Sequence, residues 1–188
     1  MSMSAVLLVL GVVLFGVVLV KLLAKGGRSS HPMLGALKEA GVPPREVDRL
    51  VCQTPSYAAA GSLMTAREQR FFSQLCHHID ESRWRLCPQV RVADVVNVAT
   101  NIKRGTKAWW KLFRLVSQWH CDVVVIDRAS FAVVAVIELD DNSHRKPERQ
   151  RRDILLAEVL SQAGIPLLRG ADAPALTRRV EEFLQAQA

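Results

Sequence analysis

Two almost continuous apolar segments, residues 121–126 and 131–139, most constrain how this chain can fold. Four residues typical of a turn, Asp127-Arg128-Ala129-Ser130, join them, and the pattern predicts a β-hairpin. Neither segment alternates apolar with polar side chains, as a half-exposed strand would. We therefore expect other elements to cover both faces of the sheet.

The rest of the chain supplies helices for that purpose. Thr65 and Glu68 fit a capping box, and the helix that it begins carries apolar residues at helical spacing: Phe71, Phe72, Leu75 and Ile79. Further elements are predicted as helices over residues 109–119, from Pro147 to a stop at Gly164, and over 174–185, with short strands at 89–92 and 165–168. This order predicts an α/β domain with a covered central sheet.

The N-terminus has the composition of a membrane span. Residues 5–20 form an unbroken apolar segment of sixteen residues, and Lys21, Lys25 and Arg28 follow it. About twenty helical residues cross the ~30 Å hydrocarbon core, and a cationic flank stays in the cytoplasm. We expect a single-pass inner-membrane anchor with its N-terminus outside and the domain in the cytoplasm. A cleaved signal peptide is the alternative, but residues 1–4 lack its positive charge.

The expected organisation has three parts. Residues 1–25 are the transmembrane anchor, and residues 26–62 are a linker with one or two short helices. Residues 63–188 form the folded domain, which is long enough to bury a core.

Charge and cysteine content limit the partners and the compartment. The net charge of +7 favours an anionic partner, either nucleic acid or a membrane surface. The four cysteines have no zinc-ligand spacing, and we expect buried free thiols in a reducing compartment: Cys52, Cys76, Cys87 and Cys121.

Acidic residues interrupt both apolar strands. Asp122 and Glu138 come to the same end of the hairpin, and Asp140, two residues further on, shares the face of Glu138. Because isolated buried carboxylates are costly, the cluster predicts a cation site. Hard oxygen ligands suit Mg²⁺ or Mn²⁺, which would activate water for phosphodiester hydrolysis. His144, in the loop after the strand, is a candidate general base or outer ligand.

Two basic clusters favour DNA or RNA as the anionic partner. The first contains no acid and is interleaved with Trp109, Trp110 and Phe113: Lys103, Arg104, Lys107, Lys111 and Arg114. Exposed indoles would stack on unpaired bases, but we expect the tryptophans to pack into the core; anionic lipid is a third possible contact. The second cluster follows His144 and comprises Arg145, Lys146, Arg149, Arg151 and Arg152.

Four short motifs occur together after residue 60. They are Thr-x-x-Glu from Thr65, Ile-Glu-Leu-Asp-Asp-x-Ser-His from Ile137, Arg152-Asp153, and the segment 164–169. In combination, and with Asp122 in a strand, they resemble a bacterial domain-of-unknown-function family, family 2726. That family is assigned to the restriction-endonuclease-like PD-(D/E)XK superfamily, near the very-short-patch-repair nucleases. Over about residues 60–170, the resemblance implies a restriction-endonuclease-like central mixed sheet flanked by helices.

The resemblance also implies roles for site residues. Asp122 and Glu138 would be the metal ligands. Asp140 stands where the superfamily pattern has a lysine, which leaves the role of that lysine to His144, to Arg152 or to no residue. The resemblance therefore implies a metal-dependent nuclease; the alternative is a catalytically inert nuclease-fold domain that binds nucleic acid or anionic lipid.

Residues at the margin of the site have simpler interpretations. Glu68 matches an acid that borders such sites, but the capping box alone explains it. Asp153 is expected to pair with Arg149 or Arg152 on its own helix. His120, directly before the Asp122 strand segment, is a second candidate for the border of the site.

Overall fold

The computed structural model describes residues 31–141 and 147–187. The chain divides into two compact units, Met1–Ala60 and Gly61–Ala188. In the first unit, the described residues form the helices α1 (Pro32–Glu39) and α2 (Glu46–Gln53), as expected for the linker. The predicted membrane anchor lies outside the described residues. No helix within the described ranges has the length and apolar character needed to span a membrane.

The second unit alternates helices with strands. Its elements, in chain order, are α3 (Ala66–His78), β1 (Trp84–Arg91), α4 (Val92–Val95), α5 (Lys107–Val116), β2 (His120–Asp127), β3 (Val133–Leu139), α6 (Pro147–Gln162), β4 (Leu167–Gly170) and α7 (Ala173–Gln185). The prediction of an α/β domain is confirmed.

The four strands form one mixed sheet in the order β1-β2-β3-β4. Strand β2 is antiparallel to both β1 and β3, whereas β4 runs parallel to β3. A parallel pair needs a long crossover connection, and α6 provides it. The sheet therefore has helices on its faces, as the continuous apolar strands predict.

Each face of the sheet has its own apolar layer. On one face, α3 and α7 pack against the strands through residues that include Phe71, Leu75, Val125, Ile137 and Val180. On the other face, which we call the α6 face, the layer comprises Val92, Val116, Cys121, Val124, Val136, Leu156 and Leu160. Buried side chains thus alternate between the two layers along the central strands.

The hairpin between β2 and β3 forms as predicted. Asp127 Oδ1 accepts hydrogen bonds from the backbone N–H groups of Ala129 (3.1 Å) and Ser130 (2.7 Å), which fixes the turn. Strand β3 begins at Val133 rather than at residue 131, because Phe131 adopts the left-handed conformation with φ of 60°. The prediction was correct for the hairpin and wrong by two residues for this boundary.

Three other boundaries differ from the sequence prediction. The strand expected at residues 89–92 is β1, which starts at Trp84 and tolerates Pro88 because it is an edge strand. The helix expected to reach residue 119 ends at Val116, and a turn closed by Trp119 N–H to Val116 O (3.2 Å) follows. The last strand is Leu167–Gly170 rather than residues 165–168.

All four cysteines are free thiols, as predicted. Only Cys121 is buried, so the expectation of burial was wrong for Cys52, Cys76 and Cys87, which are half-buried. Burial, followed by the charge of Glu138, raises the pKa of Cys121 to about 12. Its thiol therefore acts as a small apolar core residue and not as a nucleophile.

Leu156 and Ile154 on α6 provide a matched test of the α6 layer. Leu156 is fully buried, whereas Ile154 is 70% exposed. We expect Leu156→Ala to lower the free energy of unfolding by about 2–5 kcal/mol, because it leaves a cavity in the layer. Ile154→Ala should change it by less than about 0.5 kcal/mol. Urea unfolding followed by circular dichroism measures both; equal losses would contradict this packing.

Candidate functional site

Asp122 and Glu138 lie side by side across β2 and β3. The register pairs Val123 with Ile137, and one step further places Asp122 opposite Glu138. Each carboxylate accepts a backbone hydrogen bond from the other strand: Asp122 N–H donates to Glu138 Oε1 (3.2 Å), and Leu139 N–H donates to Asp122 Oδ2 (2.8 Å). The predicted juxtaposition of these two acids is therefore present.

The two carboxylates lie on the α6 face. Val124 and Val136 belong to the apolar layer of that face, and Asp122 and Glu138 are each two residues away on the same strands. Glu138 is only 6% exposed, and Asp122 is half-buried. The acids thus stand at the end of the sheet where a covered apolar layer gives way to polar residues.

Burial and mutual repulsion disfavour charge on this pair. The pKa of Glu138 is raised to about 7, first by burial and then by the charge of Asp122. The pKa of Asp122 is also raised, chiefly by burial, with further increases from the charges of Glu68 and Asp140. Two carboxylates in one site cannot both ionise freely, so a cation that enters between them would replace a proton.

Arg152 of α6 is close enough to act electrostatically on both acids. Its charge lowers the pKa values of both Asp122 and Glu138, although less than burial raises them. Its Nη2 donates to the backbone carbonyl of His120 (2.9 Å). Its Nε is buried and has no hydrogen-bond partner among the described residues, which marks a donor available to a ligand. The charge of Arg152 therefore acts on both acids, and its catalytic role stays a prediction.

Asp140 is engaged in an ion-pair network. Its Oδ1 accepts from Arg169 Nε (2.6 Å), and Arg169 Nη2 lies 2.7 Å from Asp153 Oδ2. Asp153 therefore pairs with Arg169 of β4, and the expected pairing with Arg149 or Arg152 is wrong. The network joins β3, β4 and α6 beside the two carboxylates.

Glu68 serves the helix cap and also borders the site. Thr65 Oγ1 accepts from Glu68 N–H (3.3 Å), and Glu68 Oε2 accepts from Thr65 N–H (2.7 Å), which confirms the capping box. The Glu68 charge also raises the pKa of Asp122, so this carboxylate is within electrostatic reach of the acids. The capping role and the bordering position occur together.

Other predicted residues lie further away or are not described. His144, Arg145 and Lys146 lie outside the described residues. His120 is exposed at the start of β2 and touches Arg152 through its backbone carbonyl. Arg149 is exposed in the first turns of α6.

The first basic cluster is exposed and lies on α5 and the loop before it. Its five cations are all exposed to solvent: Lys103, Arg104, Lys107, Lys111 and Arg114. Trp109 is half-buried, but Trp110 is 44% exposed. The expectation that the tryptophans pack into the core is therefore wrong for Trp110, because only one side of this amphipathic helix faces the α6 layer.

The donor set fits a partly hydrated divalent cation better than a closed protein cage. Among residues 31–141 and 147–187, no three His, Cys, Asp or Glu side chains are grouped in a way that would hold a metal ion. Asp122 and Glu138 each use one oxygen in the cross-strand hydrogen bonds, which leaves Asp122 Oδ1 and Glu138 Oε2. Mg²⁺ is usually held by one or two carboxylates, with water and substrate phosphate as the other ligands.

A comparison with protein families now identifies the folded unit. The family model described as "Protein of unknown function (DUF2726)" matches residues 60–186. The chain belongs to this DUF2726 family. No curated protein and no solved structure matches the chain.

The DUF2726 domain contains site residues that sequence reasoning missed. Arg67 of α3 donates through Nη2 to the backbone carbonyls of Asp140 and Ala171, both at 2.8 Å. Arg169, which forms the ion pairs of the network, ends an otherwise apolar strand segment, and that isolated charge was an available signal. Arg67 had no such signal, because it resembles any solvent-facing helix residue.

Gln89 on β1 is a further missed residue. The register pairs Pro88 with Val123 and Val90 with Cys121, so Gln89 stands opposite Asp122. Its φ of 52° is in the left-handed region, which residues other than glycine rarely adopt. Such strained residues cluster at functional sites, but no sequence pattern reveals them.

The raised pKa of Glu138 predicts a pH-dependent stability of the metal-free domain. The pKa of Glu138 rises from its ordinary value of 4.5 to about 7 in the folded protein. Between these two pH values, the folded protein binds the proton of Glu138 more tightly than the unfolded chain does. The contribution of protonated Glu138 to the free energy of unfolding is therefore fully present at low pH and is lost as pH rises through 7. Glu138→Gln keeps the acceptor oxygen without the charge. At pH 8 it should raise the free energy of unfolding by roughly 3 kcal/mol.

Thermal or urea unfolding in EDTA at pH 5 and pH 8 measures this effect. The advantage of Glu138→Gln over the unmodified chain should shrink strongly at pH 5. Glu158→Gln changes an exposed glutamate on α6 and serves as the control, for which we expect no such pH dependence. If Glu138→Gln were less stable than the unmodified chain at pH 8, the conclusion that burial disfavours the charged form of Glu138 would be wrong.

Proposed function

We propose that the DUF2726 domain hydrolyses phosphodiester bonds of nucleic acid with the help of a divalent metal ion. The observation that carries the proposal is the pair Asp122 and Glu138, which are hydrogen-bonded reciprocally across two strands and have raised pKa values. Perturbed carboxylates that lie together at the end of a sheet are candidates for a functional site. The basic surfaces of the domain favour a polyanionic substrate.

Asp122 and Glu138 would hold Mg²⁺ or Mn²⁺ through the two oxygens that the cross-strand hydrogen bonds leave over. When bound, such an ion lowers the pKa of a coordinated water and offsets charge on the reacting phosphate. The backbone N–H groups of Asp122 and Leu139 orient the two carboxylates before any ligand arrives. This fixed orientation reduces the reorganisation that binding requires.

Arg152 is proposed to supply the positive charge that the superfamily pattern assigns to a lysine. Asp140 occupies the position of that lysine, and it pairs with Arg169. Arg152 has a buried Nε without a partner among the described residues and acts electrostatically on both acids. A guanidinium in this place would stabilise negative charge that develops on the phosphate.

The relationship with the restriction-endonuclease-like superfamily is part of the same proposal. A mixed sheet with flanking helices and two acids on adjacent antiparallel strands supports it. The chain departs from the superfamily pattern in having Asp140 in place of the lysine. Arg152 and His144 would therefore take the catalytic role of that lysine.

One observation favours a second candidate function. The Asp140–Arg169–Asp153 network neutralises an acid that a metal site of three carboxylates would use. A domain that kept the nuclease fold and lost the chemistry would bind nucleic acid, or anionic lipid, through its basic surface alone. Its binding would depend steeply on salt and would not respond to metal.

Cleavage assays on the full chain test the nuclease proposal. With Mn²⁺ or Mg²⁺, the protein should cleave single-stranded or duplex DNA or RNA, and EDTA should stop it. Asp122→Asn and Glu138→Gln should each reduce cleavage by more than about 100-fold, because even a partner of a metal ligand contributes about 10–100-fold. Both substitutions preserve side-chain shape, so the fold should remain intact.

Calorimetric titration with Mn²⁺ complements the assay. We expect binding to the unmodified chain and its loss in Asp122→Asn and Glu138→Gln, with Glu158→Gln unchanged as the control. Cleavage that persists in Glu138→Gln would refute the proposed site. Metal-indifferent binding of nucleic acid with no turnover on any of these substrates would favour the inert alternative.

We also propose that residues 1–25 anchor the domain to the inner membrane, on the basis of their apolar sequence and the cations that follow. The full chain should stay with bacterial membranes after an alkaline carbonate wash, and deletion of residues 1–25 should release it. Release of the full chain by carbonate would contradict the anchor.

A further inference from the structure

A groove beside the first basic cluster has no role in the carboxylate chemistry. It has a volume of about 550 Å³ and is lined by residues of α5 and of the loop that precedes it, including Val96, Thr100, Arg104, Trp109, Trp110 and Phe113. Val116 and Ala93, which also line it, pack into the apolar layer of the α6 face. The groove therefore opens on the same face of the sheet that carries Asp122 and Glu138.

The aromatic side chains in this groove hold one another in a fixed arrangement. Trp109 stacks on Phe113 with ring centroids 5.1 Å apart and planes within 7° of parallel. The ring of Trp110 is nearly perpendicular to both, at interplanar angles of 87° and 84°. Neither ring therefore stacks parallel on a face of Trp110, although Trp110 is 44% exposed. The exposed part of the Trp110 ring is the surface that a flat ligand can reach.

Guanidinium groups lie beside these rings. Arg104 Cζ is 5.7 Å from the centroid of Trp109, and Arg114 Cζ is 5.9 Å from the centroid of Trp110. These distances are within cation–π range, which holds the arginines near the groove. In each pair, the guanidinium group lies over the ring of the tryptophan.

The cations around the groove lie in a segment of the chain without acidic residues. No acidic residue occurs between Asp94 and Asp122 in the sequence. In the described part of the chain, none of the five exposed cations of this cluster forms a salt bridge. An anionic ligand is therefore the partner that the surface fits.

We propose that this groove binds single-stranded nucleic acid, with an unpaired base stacked on Trp110 and the adjacent phosphates on Arg104 and Arg114. An aromatic face next to a guanidinium matches the base and phosphate of one nucleotide. Bases inside a duplex are already stacked on one another and cannot offer their faces to Trp110. The inference rests on the proposed function and deepens it, because it names a substrate with unpaired nucleotides.

The structure favours this ligand over a lipid surface. A helix that lies on a membrane inserts a continuous apolar face. The apolar side of α5 instead contributes Leu115 and Val116 to the core layer, and its exposed aromatic residues are interleaved with cations.

The test measures binding of a short labelled oligothymidylate to the full chain by fluorescence anisotropy in EDTA, so that no cleavage contributes. We expect tight binding that weakens with salt, and weaker binding of a duplex of the same length. Trp110→Ala should raise the dissociation constant about tenfold or more, since stacking of one base contributes about that factor. Trp110→Phe should retain most of the affinity, because phenylalanine also stacks.

Leu112→Ala is the matched control. Leu112 is a second exposed apolar residue on the same helix, but it has no aromatic face, so its loss should change affinity less than about twofold. Arg104→Ala should reduce the slope of log affinity against log salt by about 0.7, the loss of one phosphate contact.

Equal affinity of Trp110→Ala and the unmodified chain would overturn the proposal, as would equal binding of duplex and single strand. Anionic vesicles that displace the oligonucleotide from the unmodified chain, and that do not bind Trp110→Ala, would also overturn the proposal. That result would assign the groove to lipid. Glu138→Gln should bind the oligonucleotide normally while cleavage is lost, so the groove and the proposed chemistry fail or succeed separately.

Discussion

The structure of the site depends on one constraint: two carboxylates occupy adjacent strands of a sheet that is covered on both faces. Asp122 and Glu138 each accept a backbone hydrogen bond from the other strand, which partly offsets the cost of removing the carboxylates from water. Burial still raises the pKa values of both groups. Main-chain N–H groups of the two strands thus hold both carboxylates in place.

Arginines organise the polar region around that pair. Arg169 connects Asp140, directly after β3, with Asp153 of α6, and Arg67 of α3 reaches the backbone carbonyl of Asp140. Helices from both faces of the sheet are thus joined at one end of β3. Arg152 differs from these two arginines, because its buried Nε has no partner within the described residues. Arg67 and Arg169 thus connect elements of the fold, whereas Arg152 is held through Nη2 by the His120 carbonyl.

Sequence reasoning was correct where local residue patterns determine the structure, as in the strands of the covered sheet and the turns and caps around them. The apolar runs, the Asp127 turn and the Thr65–Glu68 capping box predicted the hairpin, the α/β class and the proximity of Asp122 and Glu138. It failed where side chains reach across elements. The pairing of Asp153 with Arg169 depends on the parallel crossover, and the exposure of Trp110 depends on which side of α5 meets the core. The left-handed Gln89 has no sequence signature at all.

The edges of the sheet have a consequence for association between chains. One edge is β1, where Pro88 lacks an N–H group and Gln89 departs from extended geometry. The other is β4, which is only four residues long. Interrupted and short edge strands prevent another chain from adding a strand. The edges of this sheet therefore keep encounters between copies of the domain from leading to strand-by-strand aggregation.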